Sequence, residues 1–309
     1  MSRIYDTLII GGGPAGYTAA LYASRAGLDT AVIEKMGAGG QMMLTDIIDN
    51  YPGFDSGIEG FELSMKMQAG AERFGAKSIY GNVNDVDFSG KIKRIMTDDG
   101  EYLSRTVIIA TGANPKELGL SGENDLIGKG VHYCAHCDGR FYKGKTVAVV
   151  GGGNSAVSDA LYLSHLAKEV ILIHRRNTLR ATKIYHEPLL KKENVNFVWD
   201  SQITHLNSGD SFKGITVQNL KTSDTADISC DGLFISIGRK PATDFLLNKL
   251  DLDSYGYIIA DETTRTNVDG VFAAGDVRTK ALRQVVTAAS DGAVAAHFAE
   301  KYLVNNSNI

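Results

Sequence analysis

Two glycine triplets, each between an apolar run and an alanine-rich segment, most strongly constrain the fold of this 309-residue chain. DTLII (residues 6–10) runs into GGGPAG, an amphipathic stretch extends to Gly27, and the apolar run DTAVIEK follows. TVAVV (146–150), GGGNSA and VILIH (170–174) repeat this arrangement 140 residues later. Short apolar runs that alternate with helical periodicity indicate parallel strands joined by helices. The sequence therefore predicts an α/β fold with two Rossmann-like, doubly wound, three-layer dinucleotide-binding domains.

The first glycine loop has the spacing of a dinucleotide-binding turn. Gly11, Gly13 and Gly16 form G-x-G-x-x-G directly after a strand and directly before a helix. This context lets the backbone and the helix N-terminus approach a pyrophosphate closely. Glu34 ends the next strand, 18 residues after the last of these glycines. A carboxylate there can accept hydrogen bonds from a ribose diol, although it could also be an ordinary solvated acid.

The second loop predicts a different nucleotide. Gly151, Gly153 and Ala156 give the variant G-x-G-x-x-A. The position that matches Glu34 starts a basic cluster made of His174, Arg175, Arg176 and Arg180. A carboxylate there would repel a 2′-phosphate, whereas guanidinium groups can bind one bidentately. The cluster could be a solvated arginine patch, but its register at the end of a second strand favours a preference for NADP over NAD.

If the second loop binds NADPH, the first loop holds another dinucleotide, because one chain hardly needs two copies of the same hydride donor. FAD is the natural candidate. Asp276 ends the apolar run GVFAAGD. The C-terminal ends of parallel strands carry the ligand contacts of such sheets, so Asp276 could bind a ribityl chain. A helix N-cap is the alternative role for this aspartate.

Cys134 and Cys137, two of the three cysteines of the chain, form a C-x-x-C pair in HYCAHCDGRFYKGK. His132 and His136 are close in sequence, but four ligands from so short a segment cannot easily surround a tetrahedral zinc ion. A disulfide that closes so small a loop would add little stability. A redox-active dithiol is the remaining interpretation, because such a pair can cycle with little backbone movement.

The neighbours of the pair suggest further roles. Asp138 follows Cys137 directly and could exchange a proton with a departing thiolate, while Asp138-Gly139 is also a strong turn dipeptide. His136 either tunes the acidity of a thiolate or is an exposed loop residue. Cys230 has apolar neighbours and is expected to be an inert buried residue.

Charge and composition narrow the possible partners. The net charge is -4 and no basic block occurs, so nucleic acid and anionic membranes are not expected partners. The N-terminal apolar run is too short for a signal peptide, and none of the apolar runs reaches the roughly 18 residues of a membrane span. Three cysteines in such a chain indicate a reducing compartment, so we expect a cytoplasmic protein.

The motifs in combination resemble one family nearly from end to end. They are GGGPAG, GGQ (39–41), NYPG (50–53), ATGA (110–113), CAHCDG, GGGNSA, HRRNTLR and GVFAAGDV followed by RQV. They are similar to the low-molecular-weight, bacterial-type thioredoxin reductases, which are FAD-containing pyridine nucleotide-disulfide oxidoreductases of class II. His136 departs from the family pattern, in which a small hydroxyl residue more often stands between the cysteines.

The resemblance implies the domain organisation and the site. The FAD domain is expected at residues 1–114 and 242–309, and the NADPH domain with the redox centre at 115–241. The implied FAD contacts are Gly11, Gly13, Pro14, Ala15, Gly16, Glu34, Gly40, Gln41, Asn50, Val83, Thr111, Gly112, Gly275, Asp276, Arg283, Gln284 and Val285. The implied NADPH contacts are Gly151, Gly153, Asn154, Ser155, Ala156, His174, Arg175, Arg176, Arg180 and Gly238.

The resemblance also implies the reaction. NADPH would reduce FAD, FAD would reduce the Cys134–Cys137 disulfide, and the dithiol would reduce thioredoxin or a thioredoxin-like protein. Cys137 would face the flavin, Cys134 would attack the substrate, and Asp138 would be the acid-base. A domain rotation between half-reactions, a homodimer and no metal are expected. Alternatives are a ferredoxin-linked reductase, a peroxiredoxin-system reductase and a nucleotide-sensing flavoprotein switch.

Overall fold

The computed structural model describes residues 3–35, 37–45, 47–209 and 211–306. The strands are β1 Ile4–Ile10, β2 Thr30–Glu34, β3 Ile47–Ile48, β4 Ile58–Glu59, β5 Lys77–Tyr80, β6 Val83–Asp87, β7 Lys93–Thr97, β8 Gly100–Ile109, β9 Ala113–Pro115, β10 Val131–His132, β11 Thr146–Val150, β12 Glu169–Ile173, β13 Val195–Val198, β14 Ser201–Ser208, β15 Phe212–Asn219, β16 Thr225–Ser229, β17 Gly232–Ile235, β18 Arg239–Pro241 and β19 Val271–Ala273. The α-helices are α1 Pro14–Arg25, α2 Gly60–Glu72, α3 Ala135–Asp138, α4 Asn154–Ser164, α5 His186–Leu190 and α6 Val285–Asn305.

The chain forms two compact units, one of them discontinuous in sequence. The first consists of Met1–Asn114 and Lys240–Ile309, and the second of Pro115–Arg239. The predicted assignment of FAD to residues 1–114 and 242–309, and of NADPH to 115–241, remains a prediction.

The sheet of the first unit has a parallel centre and an antiparallel extension. β5, β2, β1 and β8 lie side by side in parallel, and β8 divides its other edge between two partners. Its first half pairs antiparallel with β7, and its second half pairs parallel with β19. The hairpin β6–β7 therefore branches from a Rossmann-like core.

Alternating side chains of the central strands build a core on each face of this sheet. Ile9 packs among the alanines of α1 and α6 on one face. Leu8 and Ile10 point to the opposite cluster, where they meet residues such as Phe88 and Ile95. A strand buried on both faces reads as a continuous apolar run, which explains the sequence of β1.

The second unit repeats the three-layer plan. β10, β17, β11, β12 and β13 form a parallel sheet, and β14, β15 and β16 form an antiparallel one. Val147 and Val149 of β11 pack with α4, while Ala148 and Val150 pack against the antiparallel layer. The predicted fold class is confirmed. Among the described residues, the helices are too short or too polar to cross a membrane.

The dipeptide Asp99-Gly100 is a sequence signal for a hairpin, and the hairpin between β7 and β8 does lie here, but its turn comes one residue earlier than the dipeptide indicates. Thr97 pairs with Gly100, so Asp98 and Asp99 form the two-residue loop. Gly100 has a φ of 140° and is already the first residue of β8.

Helices α1 and α6 approach each other closely at one glycine. Their contact surfaces are rich in buried alanines. A Cβ on Gly292 would overlap with the carbonyl oxygen of Ala15 and would lie 3.0 Å from the backbone nitrogen of Ala19. Small side chains are therefore required where the two helices meet.

Gly292→Ala is expected to lower the free energy of unfolding by about 1–3 kcal/mol, because the added methyl group overpacks the contact between the helices. Gly70→Ala is the matched control, since a Cβ on this glycine of α2 would meet no described atom within 4 Å. The control should gain about 0.5–1 kcal/mol from the higher helix propensity of alanine. Thermal melts followed by circular dichroism test both variants, and an unchanged melting temperature for Gly292→Ala would contradict the close approach.

Candidate active site

The first glycine loop has no room for a side chain at its first and last glycines, but it has room at the middle one. A Cβ on Gly11, whose φ is 107°, would overlap with the carbonyl oxygen of Ala110, and a Cβ on Gly16 would overlap with that of Gly11. A Cβ on Gly13 would meet no described atom within 4 Å. Gly13 is also the N-cap of α1, and no side chain of the described residues caps that helix. The N–H groups of its first turn can therefore bind an anion.

Glu34 braces this loop from the end of β2. Its Oε2 accepts a hydrogen bond from Gly12 N at 2.5 Å, and its Oε1 accepts one from Lys35 N at 2.8 Å. The carboxylate thus fixes the backbone of the loop, a role that the sequence alone did not indicate.

The second loop has the same geometry. A Cβ on Gly151, whose φ is 145°, would overlap with the carbonyl oxygen of Ser236, and Ala156 is fully buried beneath the loop. A Cβ on Gly153 would again have open space around it within the described structure. Gly153 is the N-cap of α4, which likewise has no side-chain cap among the described residues. The chain therefore contains two equivalent cradles for a phosphate group.

The basic cluster after β12 is split between the interior and the surface. His174 is only 5% exposed, and its ring would be overlapped by a Cβ on Gly152. Burial, reinforced by the charges of the neighbouring arginines, lowers the pKa of His174. Its Nε2 is buried and has no hydrogen-bond partner among the described residues. The side chains of Arg175, Arg176 and Arg180 are exposed instead.

The remaining predicted NADPH residues lie around this loop. The side-chain oxygen of Asn154 accepts a hydrogen bond from Thr182 N at 2.8 Å, and Ser155 is exposed on the first turn of α4. Gly238 has a φ of 110°, and its carbonyl oxygen accepts a hydrogen bond from Lys116 N at 2.9 Å.

Several predicted FAD residues are connected to one another within the first unit. Gly39, which precedes Gly40, donates from its N–H to the carbonyl oxygen of Gly12 at 2.7 Å. Asn50 donates a hydrogen bond from its side chain to that of Gln284 at 3.0 Å.

Two side-chain hydrogen bonds hold the segment after β8 in place. Gln41 donates to the side chain of Asn114 at 3.1 Å, and Thr111 donates to the carbonyl oxygen of Ala242 at 2.9 Å. Gly112 accepts from Ala242 N at 3.0 Å. Val83 pairs with Thr97 in the hairpin.

Asp276 lies in a short 3₁₀ turn, Gly275–Val277, directly after β19. The alternative role of helix N-cap is wrong, because Gln284 caps the following helix, α6, in a capping box with Thr287. Arg283 donates to the carbonyl oxygen of Asp276 at 3.3 Å and lies over the ring of Tyr257. Val285 is the first residue of α6.

The cysteine pair forms a disulfide at the start of the four-residue helix α3. Cys134 and Cys137 have Cα atoms 5.3 Å apart, and both are partly exposed. Cys134 is the N-cap of α3, and its carbonyl oxygen accepts hydrogen bonds from the N–H groups of Cys137 and Asp138 at 3.2 and 3.1 Å. The remaining cysteine, Cys230, is buried, and burial raises its pKa to about 12, as its apolar neighbours led us to expect.

The two histidines near the pair differ in environment. His136 is exposed, with its ring centroid 4.3 Å from that of Tyr162 on α4. His132 is buried and contacts Asp138 and Tyr142. Among the described residues, no group of three or more histidine, cysteine, aspartate or glutamate side chains could hold a metal ion.

A buried ion cluster in the first unit was not predicted from the sequence. Asp291 of α6 accepts hydrogen bonds from Gly275 N at 2.9 Å, from the guanidinium of Arg278 at 2.9 and 3.0 Å, and from Lys280 at 2.8 Å. Burial disfavours its charge, but the hydrogen bonds from Arg278 and Lys280 outweigh burial and lower the pKa of Asp291. A lone acid in the alanine-rich run AASDGAVAA was the available signal. The cluster fixes the turn that carries Asp276.

Comparisons with known proteins agree with this arrangement. Residues 5–292 match the family described as pyridine nucleotide-disulphide oxidoreductase. A thioredoxin reductase of Listeria monocytogenes is 47% identical over 303 residues, which cover 97% of this chain and 94% of that protein. A solved thioredoxin reductase of Streptococcus pyogenes has a TM-score of 0.91 at 45% identity, with 99% of this chain and 100% of that one covered. A ferredoxin-flavin thioredoxin reductase of Clostridium acetobutylicum has a TM-score of 0.54 at 29% identity, with 99% and 100% covered.

The fold, the two glycine loops and the disulfide define a dinucleotide-binding disulfide oxidoreductase. The chain belongs to the pyridine nucleotide-disulphide oxidoreductase family and, within it, to the thioredoxin reductases. The family resemblance predicted from the sequence motifs is confirmed.

Asp291→Asn is expected to cost about 3–5 kcal/mol of stability at neutral pH, because it leaves the buried charges of Arg278 and Lys280 without their carboxylate. Since the pKa of Asp291 is lower in the folded state, its contribution is present above its unfolded pKa of about 4 and is lost as the pH falls through the folded pKa. The variant should lack this part of the acid destabilisation. Urea unfolding between pH 7 and pH 3 tests this.

Asp244→Asn is the control for that measurement. It removes a carboxylate from an exposed pair with Lys240, and such pairs contribute about 0–1 kcal/mol. Equal effects of the two substitutions would show that the cluster around Asp291 does not act as a buried ion pair.

Proposed function

We propose that the chain is an NADPH-dependent thioredoxin-disulfide reductase. The observation that carries the proposal is the partly exposed Cys134–Cys137 disulfide, which lies in the same unit as the glycine loop that is followed by three exposed arginines. The close relatives are named thioredoxin reductases, and the family pairs a pyridine nucleotide with a disulfide. The proposal includes the homodimer that the family resemblance implies.

The first unit fits FAD. The open face of the loop at Gly13 and the uncapped N-terminus of α1 suit a pyrophosphate. The carboxylate of Glu34 accepts backbone hydrogen bonds from Gly12 and Lys35 beside this loop, and a carboxylate at the end of the second strand would bind a ribose hydroxyl group. Asp276, held on the turn that Asp291 fixes, would bind the ribityl chain, and the connected set around Gln41, Asn50, Thr111 and Gln284 would contact the flavin.

The second unit fits NADPH. Gly153 leaves its loop open at the N-terminus of α4, so that the pyrophosphate can approach the backbone. The exposed Arg175, Arg176 and Arg180 supply the guanidinium groups for the 2′-phosphate. His174 would contribute a hydrogen bond from its buried, unpartnered Nε2 rather than a charge, because its lowered pKa favours the neutral ring among these described neighbours.

The side chains of α3 and of its N-cap, Cys134, have different proposed roles in the reaction. When bound, NADPH would supply a hydride and FAD would supply the electron pair that reduces a disulfide. Cys137 would be the sulfur nearer the flavin, and Cys134 would be the thiolate that attacks the disulfide of thioredoxin. Asp138 exchanges a proton with the departing sulfur. Alternation between the two half-reactions would require rotation of one unit about the crossings near residues 114 and 240.

Stopped-flow absorbance tests the proposal directly. NADPH should bleach the bound flavin of the purified protein, NADH should do so far more slowly, and NADPH should then drive reduction of an added bacterial thioredoxin. Bleaching by reduced ferredoxin but not by NADPH would favour the ferredoxin-linked alternative. Bleaching without thioredoxin reduction would favour the sensor alternative.

Cys134→Ser should leave a Cys137 thiolate and a long-wavelength absorbance band, whereas the same band in Cys137→Ser would reverse the assignment of the two sulfurs.

The coenzyme preference has its own test. Arg176→Ala removes charge-assisted hydrogen bonds to a 2′-phosphate, each of which contributes about 1.5–3 kcal/mol, so KM for NADPH should rise about 10- to 100-fold. KM for NADH should change little. Lys191→Ala removes an exposed cation from the residue directly after α5 and serves as the control. Parallel rises in KM for both nucleotides would contradict phosphate recognition by Arg176.

A further inference from the structure

His132 of β10 is held against the proposed acid, Asp138. Its Nδ1 lies 3.1 Å from Asp138 Oδ2, and its Nε2 lies 2.7 Å from the hydroxyl oxygen of Tyr142. His132 and Tyr142 are 6% and 7% exposed, so water competes little for these two contacts. The three side chains form a contiguous polar series, with a hydrogen bond between His132 and Tyr142 and a close contact between His132 and Asp138, that ends at the residue directly after Cys137.

Aromatic packing fixes the orientation of the imidazole. The ring of His132 stacks on Phe234 of β17 with centroids 5.2 Å apart and an interplanar angle of 27°. The ring of Tyr142 meets it edge-on at 5.3 Å. Phe234 is fully buried, and a Cβ on Gly232 would overlap with the ring of Tyr142. The imidazole therefore cannot turn away from Asp138 without disturbing the core.

This arrangement accommodates Asp138 in both protonation states. An imidazole that carries its proton on Nδ1 turns a donor towards an ionised carboxylate oxygen and can accept the Tyr142 hydroxyl proton at Nε2. The other tautomer turns an acceptor towards a protonated carboxyl group and can donate from Nε2–H to the Tyr142 oxygen. The two tautomers thus keep both contacts complementary while the charge of Asp138 changes.

The groups that face this series favour a protonated Tyr142. Burial, together with the charges of Asp138 and Asp231 and with Cys230, raises the pKa of Tyr142 to about 12. Lys145 lies 5.4 Å from the centre of its ring. At neutral pH, the Tyr142 hydroxyl group is therefore protonated and can pair with Nε2 of either tautomer of His132.

We propose that His132 is the positioning residue for Asp138, and that the Tyr142 hydroxyl group holds the imidazole in place by pairing with Nε2 in either tautomer. The inference rests on the proposed function in one respect, the role of Asp138 as the acid-base. Cleavage of the Cys134–Cys137 bond takes two electrons and two protons and yields two thiols. Asp138 exchanges one of these protons with a sulfur, and His132 neither gains nor loses a proton overall.

The test uses the FAD-bound protein and dithiothreitol, so that it needs neither NADPH nor thioredoxin. Dithiothreitol supplies both electrons and both protons and becomes its cyclic disulfide, and alkylation of the freed thiols reports the rate. His132→Phe, which keeps the stacking on Phe234, should slow the reduction about 10- to 100-fold at neutral pH, as expected for a misplaced catalytic group. Asp138→Asn should slow it at least as much.

A double substitution separates positioning from a general structural role. If His132 acts through Asp138, His132→Phe should cause no further loss in the Asp138→Asn background. Equal losses in both backgrounds would overturn the proposal, and so would a wild-type rate for His132→Phe. Tyr142→Phe, which removes one hydroxyl group, provides a milder variant should His132→Phe not fold. It should slow the reduction and should also lose its effect beside Asp138→Asn.

The two proposals can fail separately. A protein that does not reduce thioredoxin with NADPH, but shows this coupling between His132 and Asp138, would refute the proposed function and leave the positioning role standing. Normal turnover with independent effects of the two substitutions would refute the positioning role alone.

Discussion

The close approach of backbone atoms at the two glycine loops is the constraint on which both units depend. At Gly11 and Gly151 the chain leaves a central strand with positive φ, against a neighbouring carbonyl oxygen that leaves no room for a Cβ. This turn brings the N-terminus of α1 or α4 up to the edge of the sheet. Because Gly13 and Gly153 remain open, the same geometry that packs the helix onto the sheet creates a cradle for phosphate.

Different side chains support the two cradles, and this difference is the basis for proposing a different ligand for each. In the first unit, the carboxylate of Glu34 braces the loop through Gly12 N, and Asp291 fixes the turn after β19 through Gly275 N. In the second unit, His174 takes the place of Glu34 beneath Gly152, with a pKa that burial lowers. A neutral ring inside and arginines outside suit a nucleotide that carries an additional phosphate group.

The redox centre depends on its surroundings because its own secondary structure is minimal. Helix α3 has four residues, too few for an independently stable helix. Its last residue, Asp138, is held by His132 of β10, which in turn stacks on Phe234 of β17. The parallel sheet of the second unit thus positions the glycine loop at the end of β11 and, through His132 and Phe234, also Asp138, which directly follows Cys137.

The sequence by itself determined the α/β class, the two loops, the cysteine pair and the family, because apolar periodicity and glycine spacing are local properties. It also predicted β11 at residues 146–150 as the structure has it, and misplaced the β7–β8 turn by one residue. Tertiary structure decided that His174 is buried while its arginine neighbours are exposed, that Gln284 rather than Asp276 caps α6, and that Asp291 gathers two cations. It also brought His132 to Asp138. These features depend on contacts between separate elements, and no local pattern encodes the distance between two side chains that only folding brings together.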